Sequence, residues 1–182
     1  TYLESAAEEK MSPLLKKINL AVEEIERWKD IKNKLTVHIS DEGIIAQFEG
    51  YLGLQELDWE HYRQKYDNIH RMDRILKAEG KSPDDYKLAK QADTLMAWYN
   101  LGTDQVSSLL SEMGYQTDKA SLQRNFDYYI QRTSHGSTLS RIVHAYLAND
   151  LGKSDLAWEM YMEALSSDYV DIQGGTTAEG IH

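Results

Sequence analysis

The residues best suited to chemistry lie in Arg132-Thr133-Ser134-His135-Gly136-Ser137-Thr138-Leu139-Ser140, where a histidine, a glycine and a run of hydroxyls share one short stretch. Downstream, Leu139, Ile142, Val143, Tyr146 and Leu147 recur at helical spacing, so the cluster opens a core-facing helix. At such a terminus, unpaired backbone N–H groups and the positive end of the dipole favour an anion, and Ser or Thr hydroxyls add donors. Gly136 lets the backbone approach whatever is bound. His135 supplies a donor, or a positive charge if an anion raises its pKa. The same residues also suit a plain cap, with Ser137 or Thr138 closing the helix and His135 incidental.

Lys90-Gln91 precedes the apolar stripe Ala92, Leu95, Met96 and Tyr99. A helix starting near Ala89 would put Lys90 at the end whose dipole repels a cation, a placement that a ligand needing a fixed donor would justify. A helix starting at Pro83 would make Lys90 an ordinary solvated lysine. The tail from Ser166 to His182 carries Asp168, Asp171, Gln173, Gly174, Gly175, Thr176, Thr177 and Glu179. Acids and amides on a glycine-rich loop suit sugar hydroxyls, and one carboxylate can serve as a base. A frayed terminus has the same composition. Phe48, Tyr51 and Trp59 lie where rings could stack on a sugar.

The elements that must position these groups read as helices. Residues 2–17 carry helix formers, and Ile18 to Leu35 shows an apolar side of Ile18, Val22, Ile25, Trp28, Ile31 and Leu35. From Leu35 to Gly53 the pattern turns extended or irregular, with a turn at Asp41-Glu42-Gly43 and apolar residues in a long loop. Short helices follow at Trp59–Tyr66 and Ile69–Ala78, with Ser82 a cap candidate after Gly80. Stripes at residues 92–99, 106–113 and 122–130 predict further helices, the first two ended by Gly102 and Gly114. Residues 155–165 are apolar almost all round, which predicts a helix buried on most sides. Strand signals are nearly absent, so the fold class is all-α with antiparallel neighbours, and residues 1–182 read as one domain or part of one.

Composition narrows the partners. A chain of 182 residues with 41% hydrophobic and 27% charged residues is globular. A net charge of −10 argues against nucleic acid or an anionic membrane, so an anion site must be local. With no cysteine there is neither a disulfide framework nor a thiolate metal site, which fits a cytoplasmic protein. The six histidines show no zinc-binding spacing, and neither a phosphate loop nor a dinucleotide fingerprint occurs. No apolar run approaches the roughly 20 residues of a membrane span. Thr1 and the loop-like C-terminus suggest a piece of something larger.

In order along the chain, Gln47-Phe48-Glu49-Gly50-Tyr51, the run Tyr86 to Asp93, Arg132 to Ser140, and Asp171 to His182 resemble glycoside hydrolase family 65, which includes the maltose, trehalose and kojibiose phosphorylases and some hydrolases. The resemblance implies an (α/α)6 barrel, of which this chain would be about the C-terminal half. It implies cleavage of an α-linked glucose disaccharide with inversion: inorganic phosphate, a co-substrate with no further cofactor, attacks the anomeric carbon and gives β-glucose 1-phosphate. Lys90 and Gln91 match the pair that contacts the glucosyl unit, and His135, Gly136, Ser137 and Thr138 match the phosphate loop. Many phosphorylases have aspartate where this chain has Gly136. The family's general-acid glutamate lies in a Gly-Pro-Asp-Glu-Tyr-type motif absent from these residues, so catalysis needs the remaining N-terminal part of the enzyme. In a hydrolytic relative a carboxylate activates water instead, and Glu179 is the candidate base. A homodimer is the implied assembly, and a helical interaction module without catalysis is the alternative of a different class.

Overall fold

The computed structural model describes residues 17–167 and Pro13; the expected helix over residues 2–17 lies almost wholly outside that range, as does Glu179 with the rest of the tail from Asp168. The chain forms two units, residues 1–36 and 37–182. In the first, α1 (Val22–Lys34) places Glu23 and Glu24 in its first turn and Lys32 and Lys34 in its last, each opposing the dipole end beside it.

The second unit holds α2 (Trp59–Lys65), α3 (Met72–Ala78), α4 (Met96–Leu101), α5 (Thr103–Glu112), α6 (Ser121–Ile130), α7 (Thr138–Asp150) and α8 (Ser154–Ser166). Among the described residues there is no strand, only isolated bridges, as the all-α reading expects. The core gathers around Leu95, Trp98, Leu110, Phe126, Tyr129 and Leu147. A smaller cluster of Leu57, Tyr62, Met72 and Leu76 joins α2 to α3. The hairpin α7–α8 turns at Gly152, whose φ of 72° is left-handed. There Lys153 N–H donates to Ala148 and Gly152 N–H to Asn149, a closing pattern that favours glycine. Gly114 ends α5 in the same way.

The long loop after α1 is organised by α6. Asn125, fully buried, accepts from Ile45 N–H at 2.8 Å and donates to the carbonyls of Gly43 and Ser121. Tyr129 donates to the Ile45 carbonyl. Ile44, Ile45 and Tyr51 thereby enter the core, so Tyr51 is a packing residue and no sugar platform, whereas Phe48 stays exposed.

Two expectations need correcting. Neither proposed helix start near Lys90 occurs: a single 3-10 turn spans Pro83–Asp85, the chain runs through bends and isolated bridges to Gln91, and another 3-10 turn at Asp93–Leu95 leads into α4. Pairing with neighbouring backbone has overridden the helical pattern. The helix at 155–165 forms, but Trp158 is 64% exposed and Tyr161, Met162 and Leu165 are also open. Among the described elements α8 packs chiefly on α7, which covers the side of Ala157 and Ala164 and leaves the opposite one bare.

Candidate functional site

Extended segments bring the sequence motifs together. Gln55 pairs with Tyr86, and Ala89 pairs with Thr133 in parallel. Ala89 N–H donates to the Arg132 carbonyl at 2.9 Å, and Ser134 N–H returns to the Ala89 carbonyl at 2.8 Å. Glu56 bridges Lys87 and Arg132, fastening the same segments by their side chains. This register carries Lys90 alongside Gly136: a Cβ on Gly136 would stand 3.2 Å from Lys90 Cγ. Lys90 and Gln91 line a cleft of about 370 Å³ with Gln47, Leu88, Ala89 and Asp93. Gln91 donates to Asp93 at 3.0 Å, which orients its amide. A second chamber of about 180 Å³ also touches Lys90, together with Ser134, Asp73, Asp84, Phe48 and Tyr86. Trp59 lines neither space.

The loop leading into α7 is held by groups behind it. His135 has a φ of 51°, a left-handed conformation uncommon outside glycine. Arg141, fully buried, donates from Nη1 to the His135 carbonyl at 2.8 Å and pairs through Nε with Glu163 at 2.9 Å. Its Nη2 also lies 3.3 Å from His70 Nδ1 and 3.4 Å from Nε2, while His70 Nδ1 is 3.1 Å from the Ser134 carbonyl. His135 Nδ1 meets the Ser140 hydroxyl at 3.0 Å, and its ring stands edge-on to His144 at 4.6 Å.

Burial holds the His135 pKa down at about 3, with the charges of His144, Arg141 and His70 adding to the effect. Burial therefore favours the neutral form of His135 near pH 7, and an anion would have to work against it to charge the ring. The charged group behind the loop is the ion pair of Arg141 with Glu163. The plain-cap reading also changes: Ser137 occupies the N-cap position but makes no side-chain cap bond, and the Thr138 hydroxyl lies 3.1 Å from that of Ser167. The α7 terminus keeps first-turn N–H groups without intrahelical partners, as any helix start does.

Sequence reasoning did not find Arg141, His70 and Arg71. Arg141 sits inside the apolar stripe of α7, and nothing local tells a buried arginine from a solvated one. Its clue is Glu163, a helix away. His70 and Arg71 lie far from the loop in sequence and reach it only through the fold. Among the described residues no group of His, Asp or Glu is placed to hold a metal ion, and no helix is long and apolar enough to cross a membrane.

Comparison with known proteins puts a family on this geometry. Over 158 residues the chain is 49% identical to the trehalose 6-phosphate phosphorylase of Lactococcus lactis subsp. lactis (strain IL1403), covering 87% of this chain and 20% of that protein. It is 47% identical over 169 residues to an uncharacterized glycosyl hydrolase of Mycobacterium tuberculosis (strain ATCC 25618 / H37Rv), covering 93% and 13%. The kojibiose phosphorylase of Thermoanaerobacter brockii is 29% identical over 164 residues, covering 90% and 19%. A solved structure assigned as a kojibiose phosphorylase from the human microbiome superposes with a TM-score of 0.65 at 23% identity, over 98% of this chain and 21% of that one. The chain thus spans a fifth or less of the curated relatives it matches, and its helices are part of an (α/α)6 barrel. The family model for the glycosyl hydrolase family 65 central catalytic domain matches residues 2–182, and the chain belongs to that family.

Proposed function

We propose that this chain is the part of an inverting α-glucoside phosphorylase that holds inorganic phosphate beside the glucosyl unit. The observation that carries the reading is the contact of Gly136 with Lys90, which puts the loop at the α7 terminus next to the cleft of Lys90 and Gln91. Arg141, buried on the loop's inner side and paired with Glu163, donates to the His135 carbonyl and so fixes the loop's shape. Backbone N–H groups at the terminus, with Ser137 and Thr138 beside them, grip the phosphate. Lys90 and Gln91 fix the sugar hydroxyls. A phosphate oxygen forms the new bond to the anomeric carbon as the glycosidic bond breaks from the opposite face. The departing oxygen takes its proton from an acid in the preceding part of the enzyme, so this piece alone is inactive. No further cofactor enters.

Relatives named as phosphorylases support this class. The 49% identical relative is named for a phosphorylated disaccharide, which favours that form of substrate here. A second reading, an inverting hydrolase with Glu179 as base, draws on Gly136 standing where many phosphorylases carry aspartate. The intact enzyme incubated with trehalose 6-phosphate decides between them by product analysis. β-Glucose 1-phosphate appearing in proportion to added phosphate supports phosphorolysis. Free glucose at every phosphate concentration would overturn it.

A further inference from the structure

Ser140 stands in the first turn of α7 and is 1% exposed. Its hydroxyl lies 3.0 Å from His135 Nδ1, and among the described residues that hydroxyl has no other partner. Either atom of the pair could supply the proton, and burial decides which one does. A hydroxyl has one proton and two lone pairs. A buried donor without an acceptor is rarer than a buried oxygen with a lone pair to spare. If Nδ1 carried the proton, the Ser140 O–H would point into the protein with nothing to receive it, at the full cost of desolvating that group. With the hydroxyl donating to Nδ1, the polar hydrogen at the contact is matched. A second proton on the ring would leave Ser140 unmatched again, and burial works against that charge.

The neighbouring ring is set the other way by the same residue. His144 Nδ1 lies 2.7 Å from the Ser140 carbonyl, which only accepts, so Nδ1 carries the His144 proton. Its Nε2 is then bare, and it is buried without a partner. One serine thus fixes two imidazoles in opposite tautomers: its carbonyl receives from His144 and its hydroxyl gives to His135. The two rings stand edge to face, 82° apart in plane. Arg141, paired with Glu163, holds the His135 carbonyl and not its ring. The backbone of residue 135 is therefore placed by Arg141, and the turn of its ring by Ser140.

With Nδ1 taken, Nε2 is the ring nitrogen left for a ligand, and in this tautomer it is a donor. The other tautomer would turn a bare lone pair toward the ligand, which an anion's oxygens repel. Without the hydroxyl the ring is free to take that tautomer, or to flip about χ2 and exchange Nδ1 for a carbon. We propose that Ser140 is a positioning residue for the anion site: its buried hydroxyl donates to His135 Nδ1 and so keeps Nε2–H as the donor that meets the phosphate. This rests on the reading that the loop holds inorganic phosphate.

Neutron diffraction from crystals of the intact enzyme, grown in heavy water near pH 7 and soaked in inorganic phosphate, reads these protons directly. Deuterium is expected on His135 Nε2, on His144 Nδ1, and on Ser140 Oγ along the line to His135 Nδ1. Deuterium on His135 Nδ1, alone or together with Nε2, overturns the inference. Kinetics of the intact enzyme give a second measure. Ser140→Ala should raise the KM for inorganic phosphate about 3- to 10-fold, the order of one hydrogen bond, and move the KM for trehalose 6-phosphate less than about twofold. His135→Gln puts no nitrogen at the Nδ1 position, so in that background Ser140→Ala should add almost nothing. A serine that merely packs α7 would cost as much in either background, and additive losses would overturn the inference. If Ser140→Ala does not fold, the wild-type neutron map decides alone. A map with deuterium on His135 Nε2 only, but no phosphate at the loop, would sink the phosphate reading and leave the hold of Ser140 on the ring standing.

Discussion

The loop at 132–138, proposed to hold phosphate, and the segment at 86–93, proposed to face the sugar, lie side by side and are built in opposite ways. In the loop, Thr133 and Ser134 are buried and spend their hydroxyls on the carbonyls of Tyr129 and Ala89. His135 is held left-handed by Arg141, and Gly136 is pressed against His70. In the other segment only Ala89 and Ala92 are buried, while Lys90 and Asp93 stand in solvent. The anion half is shaped before any ligand arrives, by contacts that cost no rearrangement on binding. The 86–93 segment is anchored along one edge by the pairing of Ala89 with Thr133 and otherwise stands more open to solvent.

The largest effect is expected where rigidity is greatest. Gly136→Ala puts a methyl 2.5 Å from the His70 carbonyl oxygen, so loop or crossing segment must shift. Phosphorolysis by the intact enzyme should fall at least about 100-fold, since displacement of about 1 Å at a positioning contact has that cost. Stability should drop by about 1–3 kcal/mol, as overpacking does. Near-normal kinetics would show that the loop yields and that the contrast drawn above is wrong. Arg141→Met comes next. It leaves the His135 carbonyl without its donor, while Glu163, 42% exposed, can return to water. Thermal unfolding should register a loss of about 2–3 kcal/mol, below the range for a fully buried pair. The KM for phosphate should rise about tenfold as the loop loosens, the order of one lost hydrogen bond to a charged group.

Much of this was legible in the residues. Helical spacing located α5, α6 and α7, because an amphipathic stripe on a core helix has few other uses. Motif order pointed to Lys90, Gln91 and His135 through Thr138. What was not legible was long-range. The pairing of Ala89 with Thr133 kept residues 86–91 out of a helix, against a local pattern that reads as one. The burial of Arg141 depends on Glu163 and His70, one on the next helix and the other on a segment before α3. Trp158 and Leu165 misled because apolar composition shows that a face needs covering without showing that the described residues contain the cover.

Lys90→Met sharpens the contrast from the other side. Lys90 is exposed and belongs to the more open segment, so unfolding should move by less than about 0.5 kcal/mol, the usual scale at the surface. Losing a charged contact to the sugar should still lower kcat/KM about 10- to 100-fold. A matching loss of stability would mean that the sugar segment is as rigidly built as the loop.

The smallest expected effect separates the two halves by pH. Folding lowers the His135 pKa from 6.5 to about 3, first by burial and then through neighbouring positive charge. Between those values the unfolded chain binds a proton there and the folded chain does not. The loop's contribution to stability is therefore complete above pH 6.5 and lost progressively as pH falls toward 3. His144 and His70 are lowered in the same sense, mainly by burial, so His135→Gln should flatten the melting-temperature profile from pH 7 to 5 without abolishing its slope. The neutral imidazole has a kinetic consequence too. Any break in the KM for inorganic phosphate near neutrality belongs to the ionisation of phosphate itself and must persist in His135→Gln. A break present in wild type and missing from that variant would mean that His135 titrates within the working range, and that the loop is more open to water than its buried contacts indicate.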